Sequence, residues 1–351
     1  MARSSGLLKI AFLCSGILIS TLTSGQGLFS RQNVINQYTT VGIGGGSSHY
    51  WGDLSPYSQF YNALYTNVRW NGHANYTRYL TANAGVRLQL SWIRILGDDY
   101  TYSQRNLDLF WQNYIRNLHF RNDLKEVTIS GVFNLLPSYG KGGARGRLDF
   151  TPYATIGLGM VAHSPQATLP VTNVIDPPTW VPLRDASTSG QVLPASTIKM
   201  YSFVEPVLPV GLGLRFKINE KFDITFEGNI RLTKTDFIDD VAEVSYADEA
   251  LLQSFIGPNA DLSFRADEAI HSRTRDYRIS TLHQIWQDVD KLNAGILNPN
   301  TWSPSDLRQF YGPDLPGTIR GNASNIPDTY ATFQVTLSYI LSNKIKCPVL
   351  K

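Results

Sequence analysis

Near its C-terminal end the chain reads YATFQVTLSYIL, Tyr330 to Leu341, and its residues sort by parity. Ala331, Phe333, Val335, Leu337, Tyr339 and Leu341 fall on one side, and Thr332, Gln334, Thr336 and Ser338 on the other. Successive side chains of a strand point to opposite faces, so the segment has one apolar and one polar face. The alternation recurs. FDITFEGNIRL sets Phe222, Ile224, Phe226, Gly228, Ile230 and Leu232 against Asp223, Thr225, Glu227, Asn229 and Arg231. AGVRLQLSW sets Val86, Leu88, Leu90 and Trp92 against Arg87, Gln89 and Ser91, and VLPVGLGLRF sets Leu208, Val210, Leu212, Leu214 and Phe216 against Gly211, Gly213 and Arg215. EVTISGVFNLL and PYATIGLGMVA repeat the pattern less purely, and the weaker TTVGIGGGSSHYW and NVRWNGHANYTRYL bring the predicted strands to eight.

The connections alternate in length. They are short at about 79–83, 140–146 and 219–221, and long at about 52–66, 98–123, 163–200 and 236–329. Short turns at one end and long loops at the other predict an all-β fold, an eight-stranded antiparallel transmembrane β-barrel of the OmpA-like kind with its loops outside and its turns in the periplasm. A soluble eight-stranded barrel would invert the faces, with apolar residues inside and polar ones outside. The polar face here carries Arg87, Arg215, Glu227 and Arg231 between apolar neighbours. They read as a polar network inside a lumen that side chains fill. Within the last loop, Ile270, Ile279, Leu282, Ile285, Trp286 and Val289 fall at helical intervals, which predicts an amphipathic helix over the barrel mouth. The Pro-rich stretches in the third and fourth loops read as irregular.

Composition agrees with this picture: 351 residues, 42% hydrophobic and 12% aromatic, with only 17% charged. The opening MARSSGLLKIAFLCSGILISTLTSGQG, with Arg3 and Lys9 around a short apolar run, predicts a signal peptide over 1–25. The barrel is then expected over 38–341, including the long extracellular loop 236–329, with a periplasmic tail over 342–351. After residue 25 no apolar run approaches the roughly 18 residues of a spanning helix, so a membrane form must be a closed barrel. The formal net charge is +3, of which Arg3 and Lys9 supply two, and no basic stripe marks a nucleic-acid surface.

Candidate chemistry is sparse. VGIGGGSS at Val41–Ser48 has Ser47 where a dinucleotide loop needs its third glycine, and no βαβ unit follows, so its glycines read as strand packing. Asp236, Asp239 and Asp240 open an acidic run, continued by Glu243, Asp248 and Glu249, that lacks the order of a calcium loop. It reads as a solvated acidic rim, or one bridged by divalent cations to lipid head groups. His73, His163 and His271 are scattered, and no HExxH or Ser-His-Asp arrangement is evident, so a non-enzymatic role with no cofactor is expected. Tyr38, Tyr50, Trp51, Trp70, Tyr76, Trp92, Tyr201 and Phe237 fall where aromatic girdles belong. Cys347 is the only cysteine after the leader. With Lys344, Lys346 and Pro348 it marks the tail SNKIKCPVLK as a candidate partner contact, either disulfide-linked or carrying an inert thiol.

The segments GIGGGSSHYWGDL, FTPYATIGLGMVAHSPQA, LPVGLGLRFKINEKFDITFEGNIRLTKTDFIDDV and RGNASNIPDTYATFQVTLSYIL resemble the PorG-like outer-membrane barrels of Bacteroidota. The most specific matches are P-Y-x-x-x-G-x-G at Pro152–Gly159, Ser164–Ala167 and TDFIDDV at Thr235–Val241. This resemblance implies an outer-membrane barrel linked to the type IX secretion system, joined to a periplasmic ring of a lipoprotein and its partner. The expected surroundings are outer-membrane lipid and lipopolysaccharide, with periplasmic ring proteins as partners. Two rival readings are a surface-binding barrel whose loops recognise a glycan, protein or lipopolysaccharide, and a narrow channel.

Overall fold

The computed structural model describes residues 37–56, 64–136, 147–194, 196, 198–242, 245–287, 320–321 and 327–341. The predicted leader and the tail with Lys344, Lys346, Cys347 and Pro348 lie outside the described residues.

Alternating side chains build eight long strands: β1 (Tyr38–Trp51), β2 (Arg69–Tyr79), β3 (Ala84–Asp98), β4 (His119–Asn134), β5 (Phe150–Ala162), β8 (Val204–Lys217), β9 (Phe222–Thr233) and β10 (Thr329–Leu341). Each pairs antiparallel with its chain neighbours in the wall. β3 pairs with β4, and β10 returns to β1 from Thr39↔Leu341 to Trp51↔Thr329, so the sheet closes on itself. Two short strands, β6 (Gln166–Thr168) and β7 (Trp180–Pro182), form a hairpin that extends β4 above the ring through Arg121↔Gln166.

The two ends of the barrel differ. At the turn end, Asn219 Oδ1 accepts from the backbone N–H groups of Lys221 and Phe222, and Thr81 Oγ1 accepts from Asn83 and Ala84. Such side-chain turns reverse the chain in a few residues. At the loop end the connections carry helices at Asp99–Ser103, Leu107–Arg116, Leu183–Ala186, Glu249–Ile256 and Ile279–Gln287. Only the last was expected from the sequence. Asn106 caps the second of them by accepting from Leu109 N–H, and Asp248 caps the fourth by accepting from Leu251 N–H. The third loop, read as irregular, supplies the β6–β7 hairpin.

The outward faces carry an apolar belt. Ile43 is 70% exposed, Leu158 70% and Leu212 67%, and the outward positions of all eight wall strands contribute to it. A band of this extent belongs against lipid, since soluble monomers expose only patches of a few hundred Å². A closed ring leaves no backbone edge to satisfy within hydrocarbon. The chain is an outer-membrane β-barrel. No described helix is long and apolar enough to cross a membrane.

Inside, side chains stack in three layers. Tyr38, Tyr79, Val132, Tyr153 and Ile340 plug the turn end, with the rings of Tyr38 and Tyr79 stacked 4.4 Å apart. Polar and charged groups fill the middle. At the loop end, inward Ile93, Ile95, Phe120 and Leu124 pack against Leu183, Ile238 and Leu262 from the loops. A further apolar cluster of Tyr100, Tyr114, Ile115, Phe264, Leu282 and Ile285 holds the loops to one another.

Candidate functional site

The middle layer brings Arg87, Glu227, Arg231 and Arg215 into the lumen, each on an inward position of its strand. Arg87 donates to both oxygens of Glu227 at 2.6 and 2.9 Å, and Glu227 also accepts from Tyr153 Oη at 2.6 Å and Asn229 Nδ2 at 2.7 Å. One carboxylate thus receives four hydrogen bonds from three strands. Towards the loop end, Arg231 pairs with Glu126 at 3.3 Å, and Tyr330 Oη donates to the same carboxylate at 2.7 Å. Towards the turn end, Arg215 donates to Tyr79 Oη and to Asn134 Oδ1, and Arg147 pairs with Asp223 at 3.1 Å. His73 shares a hydrogen bond of 2.8 Å with Thr336. The glycines of β8 make room for this filling. A Cβ on Gly213 would lie 2.4 Å from the Tyr153 ring, and one on Gly211 would lie 2.1 Å from Asn229 Oδ1.

The acidic run departs from its expectation. Asp239 and Asp240 are fully buried, whereas Asp236 and Glu249 are part-exposed and Asp248 is exposed, so two of the residues read as a solvated rim are instead fasteners of a cap. Burial is tolerable because donors surround them. Asp240 accepts from Tyr201 Oη at 2.7 Å and from Thr188 Oγ1, and faces Arg320 at 3.5 Å. Tyr50 Oη lies 2.6 Å from Asp239 Oδ2 and 2.7 Å from Asp328 Oδ1. A phenol has one proton to give, so one of the two carboxyls carries a proton of its own and donates it to the phenol oxygen. Burial, followed by mutual repulsion with Asp328 and Asp53, pushes the Asp239 carboxyl well above the usual range; burial does the same to Asp328.

Other buried pairs tie the loops together. Arg116 grips Asp99 with two contacts of 2.7 Å and donates to the backbone oxygens of Asp53 and Arg320. Arg278 reaches the carbonyls of Tyr114 and Glu268, and Arg273 pairs with Asp98. Asn122, inward on β4, donates to Ile238 O and accepts from Ser164 N–H, joining the third and fourth loops to the wall. His271 stacks on Tyr100 at 4.4 Å and faces His119 at 5.3 Å. The expected girdle divides: Trp70, Tyr76 and Trp92 face outward, while Tyr38, Tyr50 and Tyr201 point inward to serve the plug and the cap.

The arrangement packs the described lumen with an aromatic plug, paired polar side chains and a loop-built cap, and so can hold a shape. Among the described residues no group of three or more His, Cys, Asp or Glu side chains could hold a metal ion. Sequence reading missed Glu126, Tyr153, Tyr330 and Asp328, although the first three sit at inward parity and were legible from it. Asp328 lies one residue before β10, and the register of β10 against β1, with Tyr50 opposite Tyr330, brings it to Tyr50. Outside the cap, Leu251, Phe255 and Tyr277 are about half exposed or more.

No protein-family model matches the chain, and no curated protein is significantly similar to it in sequence. Among solved structures, the attachment invasion locus protein Ail of Yersinia pestis is 8% identical over 87% of this chain and 99% of its own, with a TM-score of 0.32. The outer membrane protein OprG of Pseudomonas aeruginosa is 10% identical over 88% and 98%, with a TM-score of 0.31. The N-terminal β-barrel domain of OprF from Pseudomonas aeruginosa is 7% identical over 87% and 98%, with a TM-score of 0.29. At such scores the assignment of the fold rests on the closed strand ring and its apolar belt.

Proposed function

We propose that this chain is a non-conducting, non-enzymatic outer-membrane anchor in a type IX protein secretion assembly, with its loop end outside the cell and its turn end in the periplasm. The observation that carries the anchor reading is the filled interior: an aromatic plug, a polar layer anchored by ion pairs and a loop-built cap occupy the barrel from end to end. A barrel so packed contributes a fixed position in the membrane and two presented surfaces, and eight strands leave no room for a wide pore.

The secretion reading is supported by the resemblance to PorG-like barrels. Its most specific motifs have definite places here. Tyr153 of the first meets Glu227, and Asp239 and Asp240 of the last fasten the cap. These are interior roles, so the partner contact falls to the short turns and to the tail over 342–351 with Lys344, Lys346, Cys347 and Pro348. A lone cysteine beside basic residues suits docking to a periplasmic ring protein, either covalently or through the charged tail.

In-cell crosslinking followed by mass spectrometry tests the reading, together with secretion assays of a chain lacking 343–351 and of Cys347→Ser. Ring components crosslinked to the turn end, and weakened secretion in the deletion, are the expected results. Loss of a reductant-sensitive high-mass band in Cys347→Ser would identify the covalent form. Normal secretion with crosslinks confined to the loop end would overturn the anchor role and favour a surface-binding barrel, to which exposed Leu251, Phe255 and Tyr277 lend their own support.

A further inference from the structure

Within the loop-end halves of the wall strands, charge faces outward on β3 and β4 alone. There Trp92 pairs across the strands with Lys125, Arg94 with Asp123, and Leu96 with Arg121, while the alternate residues Leu124 and Glu126 are buried inside. The outward positions at the same end of the neighbouring wall strands include Ala162, Val204, Leu232 and Ala331, none of them charged. Among the wall strands the charge therefore forms a patch on β3 and β4; beyond them, exposed Lys234 follows the end of β9.

Within the patch the charges do not cancel. Arg94 and Asp123 neutralise each other through contacts of 2.6 and 2.8 Å. Arg121 lies 4.0 Å over the ring of Trp180 and donates to Gln166 Oε1 at 3.0 Å; among the described residues neither it nor exposed Lys125 has a carboxylate in ion-pair reach. Two features fix the depth. Trp70 and Trp92, edge to face at 5.4 Å, stand on the same outward surface with Arg94 over Trp70, and amphipathic rings of this kind settle at head-group level. One step towards the turn end from Lys125, Val127 and Ile129 are 49% and 59% exposed and belong to the hydrocarbon belt. A cation held at that boundary with no carboxylate among the described residues to neutralise it is matched to an anion supplied by the membrane.

We propose that the outward β3–β4 patch binds the phosphorylated head group of an outer-leaflet glycolipid, with Lys125 and Arg121 each taking a phosphate and the neutral Arg94–Asp123 pair between them facing the sugar. Four residues along a strand separate the two cations by roughly 13 Å at about 3.3 Å per residue. That span suits a disaccharide bearing a phosphate at either end better than a glycerophospholipid with one. The outer-leaflet assignment rests on the loop end being outside; the chemistry of the patch stands without the secretion role.

Native mass spectrometry of the full chain, released from detergent after incubation with defined lipids, tests the proposal. The probes are a bisphosphorylated acylated disaccharide, the same lipid dephosphorylated, phosphatidylglycerol and inorganic phosphate. One bisphosphorylated lipid should be retained per chain, and retention should fall about fivefold for each cation removed, the Boltzmann equivalent of ~1 kcal/mol per basic side chain near an anionic surface. Lys125→Gln and Arg121→Gln supply the removals, Lys125→Arg should retain the lipid, and heat-modified gel mobility checks that each variant folds. Equal retention of the dephosphorylated lipid or phosphatidylglycerol, unchanged retention in the double variant, or displacement of the lipid by inorganic phosphate would each overturn the site. Cleavage of a protease site inserted at exposed Ile175 on intact cells reports the orientation separately, so a reversed barrel and a failed lipid site give different results.

Discussion

Removing the charge of Glu227 while keeping its shape should expose how much the lumen depends on pairing. In Glu227→Gln the amide oxygen can still accept from Tyr153 or Asn229, whose donors lie 2.6 and 2.7 Å from the native carboxylate, but Arg87 loses its counter-ion. The Arg87 and Glu227 side chains are only 10% and 4% exposed, so water cannot take over. Arg215 cannot help either: its guanidinium lies 6.0 Å from the Tyr153 ring centre and that of Arg87 lies 5.6 Å from it, so the same layer already holds two cations. Breaking a buried pair by removing one partner costs about 3–5 kcal/mol, chiefly because a buried charge is left uncompensated. Removing both charges, in Arg87→Met with Glu227→Gln, abolishes that penalty and leaves roughly 1–2 kcal/mol from lost hydrogen bonds. Urea unfolding of the barrel in vesicles, followed by tryptophan fluorescence and heat-modified gel mobility, measures all three variants. The double variant should be more stable than Glu227→Gln alone. A Glu227→Gln chain within about 1 kcal/mol of the native protein, or a double variant whose loss equals the sum of the singles, would mean that water reaches this layer and that the pair is not what holds it.

Three other perturbations probe the wall, the filling and the cap. Leu212→Arg, on a lipid-facing position, should cost about 2–4 kcal/mol in the same unfolding assay, whereas Leu212→Ile should change little; equal tolerance would mean that the belt does not face hydrocarbon. Gly213→Val places a Cβ 2.4 Å from the Tyr153 ring and should cost about 1–3 kcal/mol, but in a Tyr153→Ala background it should cost clearly less, and losses that simply add would locate the strain elsewhere. The carboxyls of Asp239 and Asp328 are raised above their unfolded range, so from about pH 4 upwards the folded cap binds more protons than the unfolded chain and loses stability as pH rises towards the folded values. Burial and the charges of Arg273, Arg265 and Arg278 hold His271 below its usual value, so it acts oppositely, withdrawing stability as pH falls below about 6.5. Limited proteolysis of the cap across this range should show Asp239→Asn flattening the upper slope alone, and an unchanged slope would remove the shared proton from the account.

Much of the wall was legible because parity reports which environment a strand position meets. Phe226, Leu212 and Phe333 on one side and Glu227, Asn229 and Gln334 on the other follow directly from the alternation, and the even strand count is what an antiparallel ring needs to close. The cap was illegible for a physical reason. Asp239, Asp240 and Tyr201 are typical of a solvated loop in composition, and only partners distant in the chain, such as Tyr50 for Asp239 and Thr188 and Arg320 for Asp240, convert them into interior groups. Tyr50 and Tyr38 misled because an aromatic at a strand end suits a girdle and a plug equally well; what separates them is the face, and near strand ends the polarity of neighbours ceases to define the face.

That loss of definition carries information of its own. Along β4, the turn-end part reads apolar outward and polar inward, with Val127 and Ile129 exposed and Thr128 and Ser130 buried, whereas its loop-end part reads the other way, with Lys125, Asp123 and Arg121 outward and Leu124 and Phe120 buried. β3 inverts at the same level, between Trp92 and Ile93, where Ile93 and Ile95 turn inward and Arg94 outward. A strand whose polar and apolar parities exchange midway has left one solvent for another: below the exchange the outside is hydrocarbon and the inside a polar layer, above it the inside is an apolar core shared with the loops. The two strands are also the longest in the wall, at 15 and 16 residues, as they must be to serve both regimes. The inversion therefore marks the level at which the outer surface changes from apolar to charged, and it accounts together for the buried cap, for Arg121 and Lys125 having no carboxylate partner among the described residues, and for the failure of a single alternation rule beyond Trp92.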